Sequence, residues 1–112
     1  MKYIRTNYLL GEIISHTKLL NGTHLFSIKD LDEILPISEE DIEKCKVADT
    51  IEDLCDEFVC VLNEKTHWLS PFKTFEIAKE QDNYTDLYGA IWTSKGLIYV
   101  AKMNEKGELE LL

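Results

Sequence analysis

The 112-residue chain has the length of one domain, and its 45% apolar content with eleven aromatic residues is enough for a packed core and too much for intrinsic disorder. Twelve Lys and Arg against twenty-one Asp and Glu leave a net charge of −9. That balance argues against direct nucleic-acid binding, which needs clustered positive charge to displace counterions, and against adhesion to anionic membranes.

In chain order, the first third reads as β. "KYIRT" (2–6) is a strand, and "GEIISHTKLL" runs to Asn21-Gly22, a strong short hairpin signal. "THLFSIK" returns from that turn. A two-residue loop would set His16 opposite Ser27 and His24 opposite Leu19, placing the two histidines on opposite faces of the ribbon. "DEILPI" is a short edge strand, because Pro36 cannot complete a central ladder.

Two helix starts follow. Ser38-Glu39-Glu40-Asp41 and Thr50-Ile51-Glu52-Asp53 each set a hydroxyl three residues before an acid, as in a capping box with Asp in place of Glu. After Thr50, the spacing of Ile51, Leu54, Cys55 and Phe58 predicts one apolar helix face, with Glu52, Asp53, Asp56 and Glu57 outward. The run "FVCVL" (58–62) turns the chain into a strand. A third helix is predicted from Pro71 to about Gln81, with Ser70 as its cap. The ending, "YGAIWT", "LIYVAKM" and "ELELL" with turns at 94–96 and 104–107, reads as a three-stranded antiparallel meander. A three-residue first loop would pair Trp92 with Ile98 and Ala90 with Val100, leaving Ile91 and Tyr99 on the other side. The expected fold is a single α+β domain over 1–112, with an N-terminal hairpin region, two or three short helices and a C-terminal meander.

The residue types do not spell a chemical centre. Cys55-x4-Cys60 is too long for the usual chelating pair, no C-x-x-C or H-x3-H occurs, and the predicted hairpin separates His16 from His24, so no metal is expected. "DLDEIL" starts a calcium pattern at Asp30 and Asp32 and breaks at Ile34. No nucleophile motif and no glycine-rich phosphate loop is present, so neither catalysis nor a cofactor is expected. Cys45, between Lys44 and Lys46, is where neighbouring ammonium groups could favour a thiolate, although a helix end with exposed lysines explains the same residues. The odd count of Cys45, Cys55 and Cys60, with no long apolar leader in "MKYIRTNYLLGEII", is the expectation for reduced thiols in a cytoplasm. "THWLSPF" (66–72) gathers His67, Trp68 and Phe72 in an irregular stretch, a composition common at recognition loops.

"MKYIRT", "ADTIEDLCDEFV" and "YGAIWTSKGLIYVAKMNEKGELELL" resemble small acidic proteins encoded in phages and prophages of low-GC Gram-positive bacteria, a group with no established activity. The resemblance implies an accessory protein in the cytoplasm of a bacterial host and carries over no functional residue. Between Asp30 and Glu57 lie twelve acids and two lysines, a net of −10, so the acidity of the chain belongs to one segment. Solubility alone accounts for such an imbalance. The functional expectation is non-catalytic binding of a protein partner, in particular a basic nucleic-acid-binding host protein whose channel would accept carboxylates in place of phosphates, as an anti-CRISPR or anti-restriction inhibitor does. Glu39, Glu40, Asp41, Glu43, Glu52, Asp53, Asp56 and Glu57 are the leading candidates. Two alternatives are a small-molecule or nucleotide-sequestering module lined by Trp68, Tyr84, Tyr88, Trp92 and Tyr99, and a virion component or homodimer acting through an apolar sheet face.

Overall fold

A computed structural model describes residues 2–61, 69–82 and 84–112. With 48% of residues in strands, and two antiparallel sheets and two short helices among the described residues, the fold is a small, mostly-β member of the α+β class. The chain forms two compact units, Met1–Thr50 and Ile51–Leu112.

The first unit is a five-stranded sheet in the order β4-β3-β2-β1-β5. Its strands are β1 (Tyr3–Arg5), β2 (Leu10–Lys18), β3 (His24–Ile28), β4 (Leu35–Ile37, an edge that accommodates Pro36) and β5 (Lys46–Ala48). Helix α1 (Glu39–Ile42) starts where the sequence predicts, with the Ser38 hydroxyl accepting from the Asp41 N–H at 3.1 Å. Ile4, Phe26, Ile28 and Ile37 make the core, and Ile13, Leu35, Ile42 and Cys45 pack against it.

The hairpin differs from the two-residue expectation. Gly22 lies at φ +92, whereas Asn21 does not share a positive φ. The loop is therefore a turn closed by Gly22 N–H donating to Leu19 C=O, followed by one left-handed glycine, and not the turn that needs two left-handed residues. Lys18 pairs with His24 and His16 with Phe26, one residue away from the predicted register. A bulge between Ile13 and Ser15 adds a residue to β2 and pushes Ile14 into solvent, 64% exposed. Odd positions before the bulge and even positions after it face the core. His16 and His24 thus share one face, which overturns their predicted separation.

The second unit has the order β10-β9-β8-β6-β7, from β6 (Glu57–Val61), β7 (Leu69–Phe72), β8 (Asp86–Thr93), β9 (Gly96–Met103) and β10 (Leu109–Leu111). The helix predicted from Thr50 shrinks to one 3-10 turn, Glu52–Leu54, with no side-chain cap. The β-branched run after Phe58 is held as a central strand between β7 and β8, and that pairing ends the helix early. Ile51, Leu54 and Phe58 are nonetheless buried as predicted. The third helix also starts later than predicted. Ser70 and Pro71 belong to edge strand β7, and helix α2 (Phe75–Lys79) is capped by Thr74, whose hydroxyl accepts from Ile77 N–H at 3.2 Å. Phe75 meets Phe58 with ring centroids 5.6 Å apart, and the Cys60 thiol donates to the Ala78 carbonyl at 3.4 Å.

Strands β8, β9 and β10 follow one another as antiparallel neighbours. Their first turn sets Thr93 opposite Gly96, with Gly96 at φ +108, so Trp92 pairs with Leu97 and not with Ile98. The same register sets Ala90 opposite Tyr99, and a bulge between Gly89 and Ala90 then leaves Val100 outside the pairing, with Gly89 opposite Ala101. Tyr99 consequently shares a face with Tyr88 and Trp92, while Ile91 is fully buried on the opposite face.

Candidate protein-binding surface

The eight candidate acids divide between the two units. Glu39, Glu40, Asp41 and Glu43 are exposed on and after α1. Lys44 Nζ lies 3.7 Å from Asp41, an exposed i,i+3 pair of small energetic weight. In the second unit Asp53 is exposed, whereas Glu52, Asp56 and Glu57 are half-buried. Asp56 accepts from the backbone N–H of Trp92 at 2.7 Å, and Glu57 accepts from its indole N–H at 3.2 Å. These two carboxylates anchor β8 and are already engaged. Of the recognition-loop candidates, His67 and Trp68 lie outside the described residues, and Phe72 is half-buried at the end of β7 opposite Phe58.

The first unit adds residues that no sequence motif marks. The turn between β1 and β2 is held by buried Thr6, whose hydroxyl accepts from the N–H groups of Tyr8 (3.3 Å) and Leu9 (3.2 Å). Thr6 N–H in turn donates to Leu9 C=O. This closed turn fixes Tyr8 with 61% of its surface exposed. Tyr8 and Pro36 line two clefts at once. One, of about 200 Å³, also includes Asp41, Lys44 and Cys45. The other, an open groove of about 510 Å³, includes Asp30, Leu31, Asp32, Glu33 and Ile34. Because two residues belong to both clefts, the clefts adjoin. They bring the acids of the β3–β4 loop and Asp41 of α1 onto one surface around a tyrosine. Leu31 and Ile34 on that loop are also exposed. An exposed aromatic and two aliphatic side chains ringed by carboxylates match the anatomy of a recognition surface, with apolar anchors inside a charged rim. The signal for Tyr8 was a hydroxyl residue and Asn before a tyrosine between two short strands, which marks a turn without marking exposure.

Cys45 lines the smaller cleft, and its thiol donates to the Asp41 carbonyl at 3.5 Å. Burial, and then the Asp41 carboxylate, push its pKa above the ordinary thiol value. The flanking lysines therefore do not produce a thiolate here. At mildly alkaline pH, iodoacetamide should label Cys45 more slowly than an unhindered thiol, because the neutral form persists to higher pH. Asp41→Asn should speed labelling, read by peptide mass mapping; an unchanged rate would show that the carboxylate does not reach the sulfur.

In the second unit Tyr88 and Tyr99 stack at 5.1 Å, with Lys102 Nζ 5.8 Å from the Tyr88 ring centroid and Trp92 53% exposed on the same sheet face. Tyr84, four residues before Tyr88, donates its hydroxyl to the Lys79 carbonyl at 3.4 Å. Among the described residues no group of three or more His, Cys, Asp or Glu is arranged to hold a metal ion, and no helix is long and apolar enough to cross a membrane. No protein family, curated protein or solved structure matches this chain.

Proposed function

We propose that this protein is a non-catalytic binding protein that docks a basic protein partner on the acidic surface around Tyr8. The carrying observation is the pair of adjoining clefts, which set Asp30, Asp32, Glu33 and Asp41 about an exposed tyrosine with Leu31 and Ile34 beside it. The acids steer the encounter and match a positively charged channel, while the apolar side chains supply contact area that a bare polyanion lacks. Glu39, Glu40 and Glu43 extend the charge along α1 and its end. A phage accessory protein that blocks a nucleic-acid-binding channel of a bacterial defence complex would use such a surface. Asp56 and Glu57 are secondary in this reading, since Trp92 already occupies them.

The test is capture from bacterial lysate by the immobilised wild-type chain and by two variants, Asp32→Lys/Glu33→Lys and Tyr8→Ala. A basic nucleic-acid-binding protein should be retained at low salt and released at high salt. Charge reversal should slow association by about 10-fold or more at low salt, and Tyr8→Ala should speed dissociation. Equal capture by all three proteins, or retention indifferent to salt, would rule the surface out.

A further inference from the structure

We infer that His16 and His24 form a two-imidazole binding site for a late first-row transition cation such as Cu2+, Ni2+ or Zn2+. His16 Nε2 and His24 Nδ1 lie 2.7 Å apart, on near-parallel rings that meet edge to edge with centroids 4.9 Å apart. The juxtaposition is built by the fold. The three-residue loop and the bulge in β2 place both residues on the core face of the sheet, on the diagonal of neighbouring strands. Phe26 stacks on His16 at 4.4 Å with ring planes 4° apart, which fixes the imidazole orientation from below. Phe26 is itself 1% exposed and held in the core, so the platform is rigid. His16 is exposed and His24 half-exposed, so an ion can enter from solvent.

The chemistry suits this placement. Metal–imidazole bonds are about 2.0–2.1 Å, so two nitrogens on one ion stand about 2.9–3.4 Å apart, from octahedral to tetrahedral angles. The nitrogens need to separate by only a fraction of an ångström, and each ring must turn within its plane so that both lone pairs meet at one ion. Between the two rings one imidazole N–H donates to the other ring's nitrogen. An ion takes the lone pairs of both facing nitrogens, so the hydrogen between them must leave the donor nitrogen, and the far nitrogen of the same ring can carry it. Imidazole is a preferred ligand for Cu, Ni and Zn, and water fills the remaining positions. The local charge is mixed. Lys18 pairs across the strand with His24, and a Cβ built on Gly22, two residues before His24, would stand 2.5 Å from the Glu39 carboxylate. Glu39 thus brings negative charge to the turn that precedes His24.

The experiment titrates Cu2+, Ni2+ and Zn2+ chlorides separately into the full, tag-free chain by calorimetry, with circular dichroism to confirm folding. His16→Asn, His24→Gln and His67→Asn are compared with wild type. One ion per chain is expected, with affinity reduced about 10-fold or more by either hairpin substitution and unchanged by His67→Asn. Cu2+ should bind tightest. The imidazole proton resonances of residues 16 and 24 should broaden first with Cu2+. Equal binding by the two hairpin variants and wild type would place the ion on carboxylates and overturn the inference, as would loss of binding in His67→Asn or no binding by wild type.

Discussion

Phe26→Ala should cost about 3–5 kcal/mol in denaturant unfolding, the usual consequence of emptying a ring-sized space in a core that cannot collapse. Phe26 is 1% exposed in the four-residue core of the first unit, with Ile4, Ile28 and Ile37, so a small core has few atoms to move into the gap. Against a total stability of ordinary size, a loss on that scale removes a large part of the folded population. Phe26→Leu keeps most of the volume and should cost under about 2 kcal/mol. The leucine variant also separates two roles of the ring. It retains the core but removes the flat platform under His16, so metal affinity should fall while the midpoint of unfolding moves little. A midpoint unmoved by Phe26→Ala would show that the first unit is not held by this cluster.

Gly89→Ala should cost about 1–3 kcal/mol, and Cys55→Ala should return part of that loss. A Cβ built on Gly89 would stand 2.7 Å from the Cys55 sulfur and 3.6 Å from both Ala101 Cβ and Leu109 Cδ1. Three elements therefore close over this one position: the chain before β6, strand β9 and edge strand β10. The added methyl must displace the sulfur, and a sulfur packed between a turn and a central strand has little freedom. Removing the sulfur first leaves room for the methyl. The double variant should thus be more stable than the two single costs predict, with a coupling of about 0.5–3 kcal/mol by denaturant unfolding. Strict additivity would mean that the methyl is accommodated elsewhere.

The division of residues into inward and outward was easier to read from sequence than the elements that carry it. Ile51, Leu54 and Phe58 are buried as helical spacing predicts, yet they sit in a 3-10 turn and a strand. Local periodicity reports which residues avoid water, but non-local pairing of Phe58–Val61 with β7 and β8 decides the backbone conformation. Glycine turns were located correctly and given the wrong geometry. Asn21-Gly22 and Ser94-Lys95-Gly96 both close with a single left-handed glycine, and that detail shifts the register by one residue in each hairpin. The shift brought His16 to His24 and Tyr99 to the face of Trp92. Ser38 was legible as a cap because its partner lies three residues away, whereas Asp56 and Glu57 find Trp92 thirty-five or more residues on. Tyr8 is not legible in the sequence for a related reason. Its place between two clefts depends on residues 30–45, which no pattern near Tyr8 records.

The extra residue in β2 also determines which changes of chain length the hairpin tolerates. Ile13 faces Ile28, and Ser15 faces Ser27, with Ile14 between them belonging to no pair. Deleting Ile14 alone would leave a regular alternation in which Ile13 and His16 keep their present face and Ser15 keeps the opposite one. Deleting Thr17 would instead carry Lys18 to the opposite face and pull the loop out of step with β3. A lineage carrying this fold can therefore lose a residue at position 14 or 15 and keep its core, while losses at positions 16–18 change which side chains face Phe26. Positions 14 and 15 are the gap through which the strand can shorten.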